Sequence, residues 1–332
     1  MENPLPCHFP VHVPPMLAIL KVTFPFFALV LCGYVATRRG LLPLLAIPGL
    51  NSFVLFFALP CMLYRFGAGT PIAQLLNPSL VAVYLLCALL MVGLTLMLTR
   101  RGRIGWNDAA FGALVAAFPN TGFMGVPLLV ALLGTPAAGP AIVSIAIDMV
   151  LTSSLCIALS RLDGAGAQGA GRAARLALRG VVTNPLPWSI VLGALASHFG
   201  VGLPGPVHAT VGLLADAASP VALFTIGAVL ARSQMNSAAP TPLADVAPLV
   251  AIKLVLHPLL VGGVGLAAIA AGLPLDRFAL TVIVLVAALP SASNVAMLAE
   301  RFGADNGRIA RIILGSTVLA FFSFSAAVAW LT

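Results

Sequence analysis

The chain has 332 residues, of which 61% are hydrophobic and only 8% are charged, and its net charge is +8. A soluble domain carries about a quarter charged residues, so a water-facing fold is excluded and lipid must cover most of the surface. The positive charge does not indicate nucleic-acid binding, because the arginines stand in short clusters between apolar segments. The five cysteines are isolated and no CxxC or HExxH motif is present, so neither a metal site nor a bound cofactor is predicted.

Ten apolar segments are long enough to form membrane-spanning helices, which need roughly 20 residues each. In chain order their predicted bounds are 16–37, 44–64, 78–99, 108–133, 139–160, 183–199, 208–231, 244–270, 277–300 and 308–331. The sequence therefore predicts an all-α polytopic membrane protein with ten transmembrane helices.

The arginines between these segments support the count and give an orientation. With the N-terminus outside, nearly all of them fall on the inner side, and only Arg65 and Arg277 fall outside. Cytoplasmic loops of membrane proteins carry an excess of positive charge. We therefore predict a multi-pass protein of a bacterial-type inner membrane, with both termini in the periplasm.

The longest connector divides the ten segments into two groups of five. It is a Gly/Ala-rich and then basic stretch at 161–182, predicted to be a cytoplasmic linker between a first repeat at 1–160 and a second at 183–332. Because five is odd, the second group enters the membrane from the opposite side, so any repeat is inverted, as in many secondary transporters. Pro60 and Pro220 align between the second and seventh segments, and in both segments an aromatic residue is followed three positions later by Gly-Ala.

The fourth and ninth segments are each interrupted by a proline, Pro119 and Pro290. A proline removes a backbone hydrogen bond and clashes with the preceding turn, and the freed backbone groups cannot face lipid. Each half-helix after a break begins with free N–H groups and a positive dipole end, which favour an anion. We interpret the small polar residues that follow the two prolines as a binding site for a small carboxylate: Asn120, Thr121, Gly122, Ser291, Ser293 and Asn294.

Several stretches resemble the auxin efflux carrier family in its bacterial branch, over nearly the whole chain. They are FPNTGFMGVPLL, LPSASNVAMLAERFGAD, NPLPWSIVLGAL and FALPCMLYRFG. The resemblance implies that predicted helices 1, 2, 6 and 7 form a scaffold. Helices 3–5 and 8–10 would form a mobile transport domain in which the broken helices 4 and 9 cross. Bacterial members include malonate and malate carriers, and AIDMVLTSSLCIALSRL is most similar to the malonate carriers.

Two ionisable residues lie deep inside predicted helices. Asp148 is roughly 14 Å from either end of the fifth segment, with Ser144 and Thr152 one turn away on the same face. It is either a carboxylate that binds a coupling proton or a structural group held by those hydroxyls. Lys253, with His257 one turn later, is either a cation that attracts substrate or pairs with Asp148, or a donor to carbonyls freed by a helix break. H⁺ and Na⁺ are the candidate coupling ions.

These features predict a secondary transporter of a small organic anion, such as the dicarboxylate malonate, that works by alternating access. The alternatives are an auxin-like monocarboxylate exporter and a channel or sensor, which the paired breaks disfavour. An enzyme is not predicted, because the sequence has no Walker or GxSxG motif and no second deep carboxylate beside Asp148. The expected partners are a small carboxylate, the lipid bilayer and a second copy of the chain in a homodimer.

Overall fold

The structure, a computed structural model, describes residues 16–70, 77–100, 104–161, 175, 185–236 and 242–332. In these ranges the regular structure is helical, and the one exception is an isolated β-bridge. The helices are numbered after the predicted segments, with the two parts of a broken segment marked a and b. They are α1 (Met16–Arg38), α2 (Ala46–Gly69), α3 (Pro78–Thr99), α4a (Trp106–Ala117), α4b (Thr121–Leu133), α5 (Thr135–Leu159), α6 (Pro185–Phe199), α7 (Gly205–Asn236), α8 (Leu243–Ala270), α9a (Arg277–Ala288), α9b (Asn294–Arg301) and α10 (Asn306–Leu331).

Seven helices of the described ranges are long and apolar enough to cross a membrane, namely α1, α2, α3, α5, α7, α8 and α10. The fourth and ninth predicted segments each consist of two shorter helices, and α6 has only 15 residues. The prediction of an all-α, multi-pass membrane protein is confirmed. The count of ten spans and their inverted arrangement stay predictions.

The helix α2 is longer than its hydropathy predicted. We expected it to end at residue 64, but it continues to Gly69, where the hydroxyl of Thr70 donates to the carbonyl oxygen of Phe66 at 2.7 Å. Arg65 is therefore not in a loop. It lies on the last turns of α2, where its guanidinium pairs with Asp216 of α7 at 2.6 Å. A long basic side chain reaches to the membrane surface from within a helix, so a charge does not have to end the span.

Three π-helical turns each end two residues before a proline. The pairs are Val54–Ala58 before Pro60, Thr121–Gly125 before Pro127, and Ile252–Leu256 before Pro258. Proline cannot donate to the carbonyl one turn back, and its ring crowds that carbonyl. A π turn shifts the hydrogen-bond register by one residue and relieves this conflict. Pro60 and Pro258 therefore widen their helices locally and leave them continuous.

Glycines allow α1 to pack closely on α7, and α2 on α6. A Cβ atom at Gly33 or Gly227 would collide with the backbone of the opposite helix, and the same holds for Gly67 and Gly193. These are the most extensive helix–helix interfaces in the described ranges. Small residues at such contacts are the usual source of packing between helices in lipid. Gly67 and Gly227 are the glycines of the two aligned segment endings.

The two broken helices lie at the centre of the protein. Every residue at 109–121 and at 282–292 is buried. The helices α3, α5, α8 and α10 pack around them. A helical segment buried on all sides can be apolar all round, as 109–117 of α4a and 282–288 of α9a are. Both breaks therefore face protein and not lipid, as their free backbone groups require.

Candidate functional site

The two helix breaks meet in an antiparallel β-bridge formed by Pro119 and Ser291. The N–H of Asn120 donates to the carbonyl oxygen of Pro290 at 2.8 Å. A second backbone bond, 2.9 Å long, runs in the reverse direction from Ala292 to the residue before Pro119. Each break thus supplies backbone partners to the other, which a buried chain interruption needs.

Three polar side-chain atoms at the breaks have no hydrogen-bond partner within the described ranges. They are Oδ1 of Asn120, Oγ of Ser291 and Oδ1 of Asn294. An unpaired buried polar atom costs roughly 1–3 kcal/mol, so such a cluster calls for a ligand or ordered water. An asparagine amide can turn to present either its N–H groups or its oxygen. The cluster can therefore bind both a carboxylate oxygen and a hydroxyl group.

The remaining predicted residues lie on two sides of this cluster. Thr121 is fully buried, and its N–H donates to the carbonyl oxygen of Pro119 at 2.8 Å, which closes a tight turn. Gly122 is half-buried and faces Leu59 of α2. Ser293 is also half-buried and faces a gap between the breaks and the pair α2 and α7.

That gap is small. Its volume is about 10 Å³, and its polar lining residues are Asn51 of α2, Thr225 of α7 and Ser293. A cavity of this volume holds about one water molecule. In this conformation α2 and α7 therefore lie too close to the breaks for an organic anion to enter from that side.

Asp148 is fully buried, and two hydroxyl groups hold its carboxylate. The Tyr84 hydroxyl donates to Oδ2 at 2.7 Å and the Thr152 hydroxyl donates to Oδ1 at 3.1 Å. The bond from Thr152 agrees with the prediction, but the expected contact from Ser144 is wrong. The Ser144 hydroxyl donates to carbonyl oxygens of its own helix, as serine in a helix often does.

Lys253 is fully buried in the π turn of α8, next to the second break. Its Nζ lies 3.0 Å from the carbonyl oxygen of Ala287 and 3.0 Å from Nδ1 of His257. Ala287 belongs to the last turn of α9a, whose carbonyl groups lose helix partners at the Pro290 break. The negative end of the α9a dipole also favours a cation there. The geometry thus agrees with the second predicted role, a donor to a freed carbonyl.

Pairing with Asp148, one of the alternative roles considered for Lys253, does not take the form of a direct contact. Among the hydrogen bonds of the described ranges, each of these groups is held by neutral partners, and the two interact only electrostatically over a longer distance. Asp148 faces α3, whereas Lys253 faces α9a. Both lie in π turns, a feature that is frequent at functional sites.

Sequence reasoning missed four polar residues around the breaks. Ser316 of α10 accepts a hydrogen bond from the N–H of Ser291 at 3.1 Å, Tyr84 holds Asp148, and Asn51 and Thr225 line the gap. Each is a polar residue within a predominantly apolar helix, which is the signal that could have found them. Tyr84 is one of only three tyrosines in the chain.

Comparison with known proteins places the chain among transporters. The sequence matches the membrane transport protein family over residues 18–168 and 172–328. A protein of Rhizobium meliloti named "Putative malonate transporter" is 28% identical over 311 residues, which are 92% of this chain and 93% of that protein. "Uncharacterized transporter YfdV" of Escherichia coli K12 is 31% identical over 215 residues, 64% of this chain and 65% of that protein. Auxin efflux carrier component 4 of Arabidopsis thaliana is 31% identical over 121 residues, 35% of this chain and 19% of that protein.

The family match covers almost all of the chain, and the two matched ranges meet inside the predicted linker at 161–182. The relatives that align over most of their length are transporters by name. The resemblance noted in the sequence is therefore confirmed. The chain belongs to the membrane transport protein family, in the bacterial branch of the auxin efflux carriers, and it is a membrane transporter and not an enzyme.

Proposed function

We propose that the transporter carries a small organic anion, a dicarboxylate such as malonate, across a bacterial-type inner membrane by alternating access. The observation that carries the proposal is the junction of the two breaks, where Asn120, Ser291 and Asn294 present buried polar atoms without partners. The relative named for malonate, which aligns along nearly its whole length, supports the same substrate class.

The chemistry of the junction favours the singly protonated form of a dicarboxylate. Such a monoanion has a carboxylate that accepts hydrogen bonds and a carboxyl group that donates one. The amides of Asn120 and Asn294 can serve both, with their N–H groups toward the carboxylate and their oxygens toward the carboxyl hydrogen. The N-terminal turn of α9b, at Asn294, adds a positive dipole end. A monocarboxylate exporter is the second candidate, because part of the chain is similar to an auxin efflux carrier component.

The proposed architecture is ten spans in two inverted repeats, with α1, α2, α6 and α7 as scaffold and the other helices as the moving domain. The glycine contacts of α1 with α7 and of α2 with α6 support this division, and the packing of α2 on α7 connects the two pairs. The gap of about 10 Å³ between the breaks and the pair α2 and α7 supports movement, since a substrate needs these parts to separate. Opening on alternate sides would expose the junction first to one compartment and then to the other.

The membrane potential limits how import can work. A dianion entering against ~100 mV opposes about 4.6 kcal/mol, and a monoanion about half of this. Carrying the monoanion together with one proton therefore cancels the electrical term. Asp148 is the proposed proton carrier, because it is fully buried and held by neutral hydroxyl groups. A sodium ion at the carbonyl groups of the breaks is the alternative coupling ion.

The direct test replaces the asparagines at the breaks. Asn120→Ala and Asn294→Ala should each lower the apparent affinity for malonate by about one to two orders of magnitude, since a hydrogen bond to a charged group contributes roughly 1.5–3 kcal/mol. Uptake of labelled malonate into proteoliposomes measures this. Asn306→Ala is the matched control, because Oδ1 of Asn306 is also buried without a partner but lies at the start of α10. Wild-type affinity in both break variants would rule out the junction as the binding site.

The proposed topology has its own test. Gln168→Cys places a label in the linker 161–182, which the arginine distribution assigns to the cytoplasm. A membrane-impermeant thiol reagent should label this cysteine in inverted vesicles and not in intact cells. The five native cysteines need to be replaced first, so that only residue 168 reports: Cys7, Cys32, Cys61, Cys87 and Cys156. Labelling of residue 168 in intact cells would show that the orientation is the reverse of the proposed one.

A further inference from the structure

A second cavity lies away from the breaks, where α2, α6 and α7 come together. Its volume is about 500 Å³, within the range of small-molecule sites. Glycines leave it open: a Cβ atom at Gly69, Gly200 or Gly212 would meet nothing within 4 Å. The cavity opens at one end of α2 and of α7, which both span the membrane, so it lies at headgroup level.

The polar part of this cavity includes a positive charge, Arg65, and the carboxylate of Asp216 lies next to the lining, because it pairs with Arg65. Tyr64, Arg65, Ser197 and His208 line it and offer hydrogen-bond donors. The Arg65 guanidinium gives only one of its nitrogens to Asp216, at 2.6 Å. The side chain of Asp216 is 69% exposed, so its carboxylate can accept further hydrogen bonds. Arginine is the side chain best suited to a phosphate group, and a carboxylate beside it suits an ammonium group.

The apolar part of the cavity points to a lipid. Ala68, Ala196, Leu203 and Val211 line its walls. Large apolar side chains stand exposed around it, among them Phe199 at 69% and Val201 at 64%. A soluble ligand would leave this surface uncovered, whereas the glycerol and upper acyl carbons of a membrane lipid would cover it.

We propose that this cavity binds a phospholipid whose headgroup carries both a phosphate and a primary ammonium group, as phosphatidylethanolamine does. The phosphate lies against Arg65, with Tyr64 and His208 as further donors. The ammonium donates to the Asp216 carboxylate, and the glycerol and acyl carbons cover the apolar wall. The site is separate from the breaks, because its lining comes from α2, α6, α7 and the residues that join α6 to α7.

The test measures lipid retention by the purified full-length protein with native mass spectrometry. Dioleoyl phosphatidylethanolamine, phosphatidylcholine and phosphatidylglycerol are offered at equal concentration. Wild type should retain phosphatidylethanolamine about tenfold better than phosphatidylcholine, since one charge-assisted hydrogen bond contributes this much. Asp216→Asn should bring the two lipids level, whereas Arg65→Gln should weaken retention of both. Arg277→Gln, an exposed arginine outside the cavity, should behave as wild type.

Several results would overturn the proposal. Equal retention of the two lipids by wild type would do so, and so would a preference for phosphatidylglycerol or a preference that survives Asp216→Asn. Soluble glycerophosphoethanolamine separates the lipid from a free headgroup. If it competes as well as the lipid does, the apolar wall contributes nothing and the membrane is not the source. Thermal unfolding in lipid-free detergent should be unchanged in Arg65→Gln, which shows that lost retention is not lost folding.

Discussion

The two helix breaks have similar backbones, but different side chains support them. At the first break, Asn120 and its neighbours find their backbone partners in the opposite break. At the second break, side chains from neighbouring helices bond to the backbone: Lys253 donates to the carbonyl oxygen of Ala287, and Ser316 accepts from the N–H of Ser291. The second break is therefore held by side chains of other helices, each of which a single substitution can remove. At the first break the side-chain bond to the backbone is local, from the Thr121 hydroxyl to the carbonyl oxygen of Pro119 at 3.5 Å.

The helices that flank the first break carry polar groups as well, but these bond to each other. Tyr84 of α3 donates to Asp148 of α5, whereas in the other half α8 and α10 direct Lys253 and Ser316 at the break itself. In the first half, the flanking helices thus carry a carboxylic acid whose partners lie within those same helices. In the second half, the flanking helices support the backbone of the binding junction. We expect substitutions near the first break to change coupling and substitutions near the second to change binding and stability.

The largest expected effect is that of Asp148→Asn on coupling. One unit of pH gradient is worth about 1.4 kcal/mol per coupled proton, or tenfold in accumulation. The variant keeps the shape of the side chain and loses its proton, so accumulation driven by an imposed gradient should fall to the level without a gradient. Exchange of substrate across the membrane should continue, because exchange moves no net proton. Proteoliposomes measure both quantities.

A matched variant distinguishes the role of the Asp148 carboxyl group from the role of the hydroxyl group that binds it. Tyr84→Phe removes a hydrogen bond to Asp148 and leaves the carboxyl group, so coupled accumulation should persist. If Asp148→Asn accumulates substrate normally under the pH gradient, the carboxylate has a structural role and does not carry the coupled proton. Loss of exchange as well would mean that Asp148 holds the fold.

The next largest effect is that of Lys253→Met on the binding junction. The substitution leaves the carbonyl oxygen of Ala287 without its donor, which should lower the free energy of unfolding by about 1–3 kcal/mol. Apparent affinity for substrate should fall with it, since the second break loses its support. Thermal unfolding in detergent and uptake kinetics measure the two effects. Lys21→Met is the control, because Lys21 is exposed. If the two variants unfold alike, Lys253 does not support the break.

The smallest effect is that of Ser316→Ala, expected at about 1 kcal/mol because one buried N–H loses its acceptor. Hydrogen–deuterium exchange should become faster at 289–294 and stay unchanged at 118–125, which tests the contrast between the breaks directly. Ser325→Ala, on the same helix, is the control, because the partners of this hydroxyl are the carbonyl oxygen of Phe321 and the hydroxyl of Thr23 on α1, and neither belongs to a break. Faster exchange at both breaks would show that the two are not supported separately.

The position of the breaks could be predicted from the sequence because it depends on local chemistry. A proline followed by small polar residues, inside an apolar run, stops a helix wherever it occurs. The fourth and ninth segments are each the fourth helix of their half, so the two breaks are expected to meet. The bridge between Pro119 and Ser291 agrees with this expectation. Thr152 was also predictable as a partner of Asp148, because one helical turn separates them.

The partners of the buried ionisable groups could not be predicted from the sequence. Tyr84 is 64 residues from Asp148, and Ala287 is 34 residues from Lys253, so only the packing of helices brings them together. Charge complementarity alone suggested a pair of Asp148 with Lys253. Neutral hydroxyl groups already bind the Asp148 carboxylate, and a backbone carbonyl already accepts a hydrogen bond from Lys253. Ser144 has the same spacing from Asp148 as Thr152, and nothing in the sequence shows that its hydroxyl turns back to its own helix.

The bridge between the breaks also has a consequence for biosynthesis. Pro290 is made about 170 residues after Pro119, which takes on the order of 10–30 s at common rates of translation. During this interval the N–H of Asn120 lacks the carbonyl that it bonds in the finished protein. The newly inserted first half must therefore keep its broken helix beside water, the insertion machinery or a chaperone until the ninth segment arrives. Quality-control proteases of the membrane have their best opportunity to act in this interval.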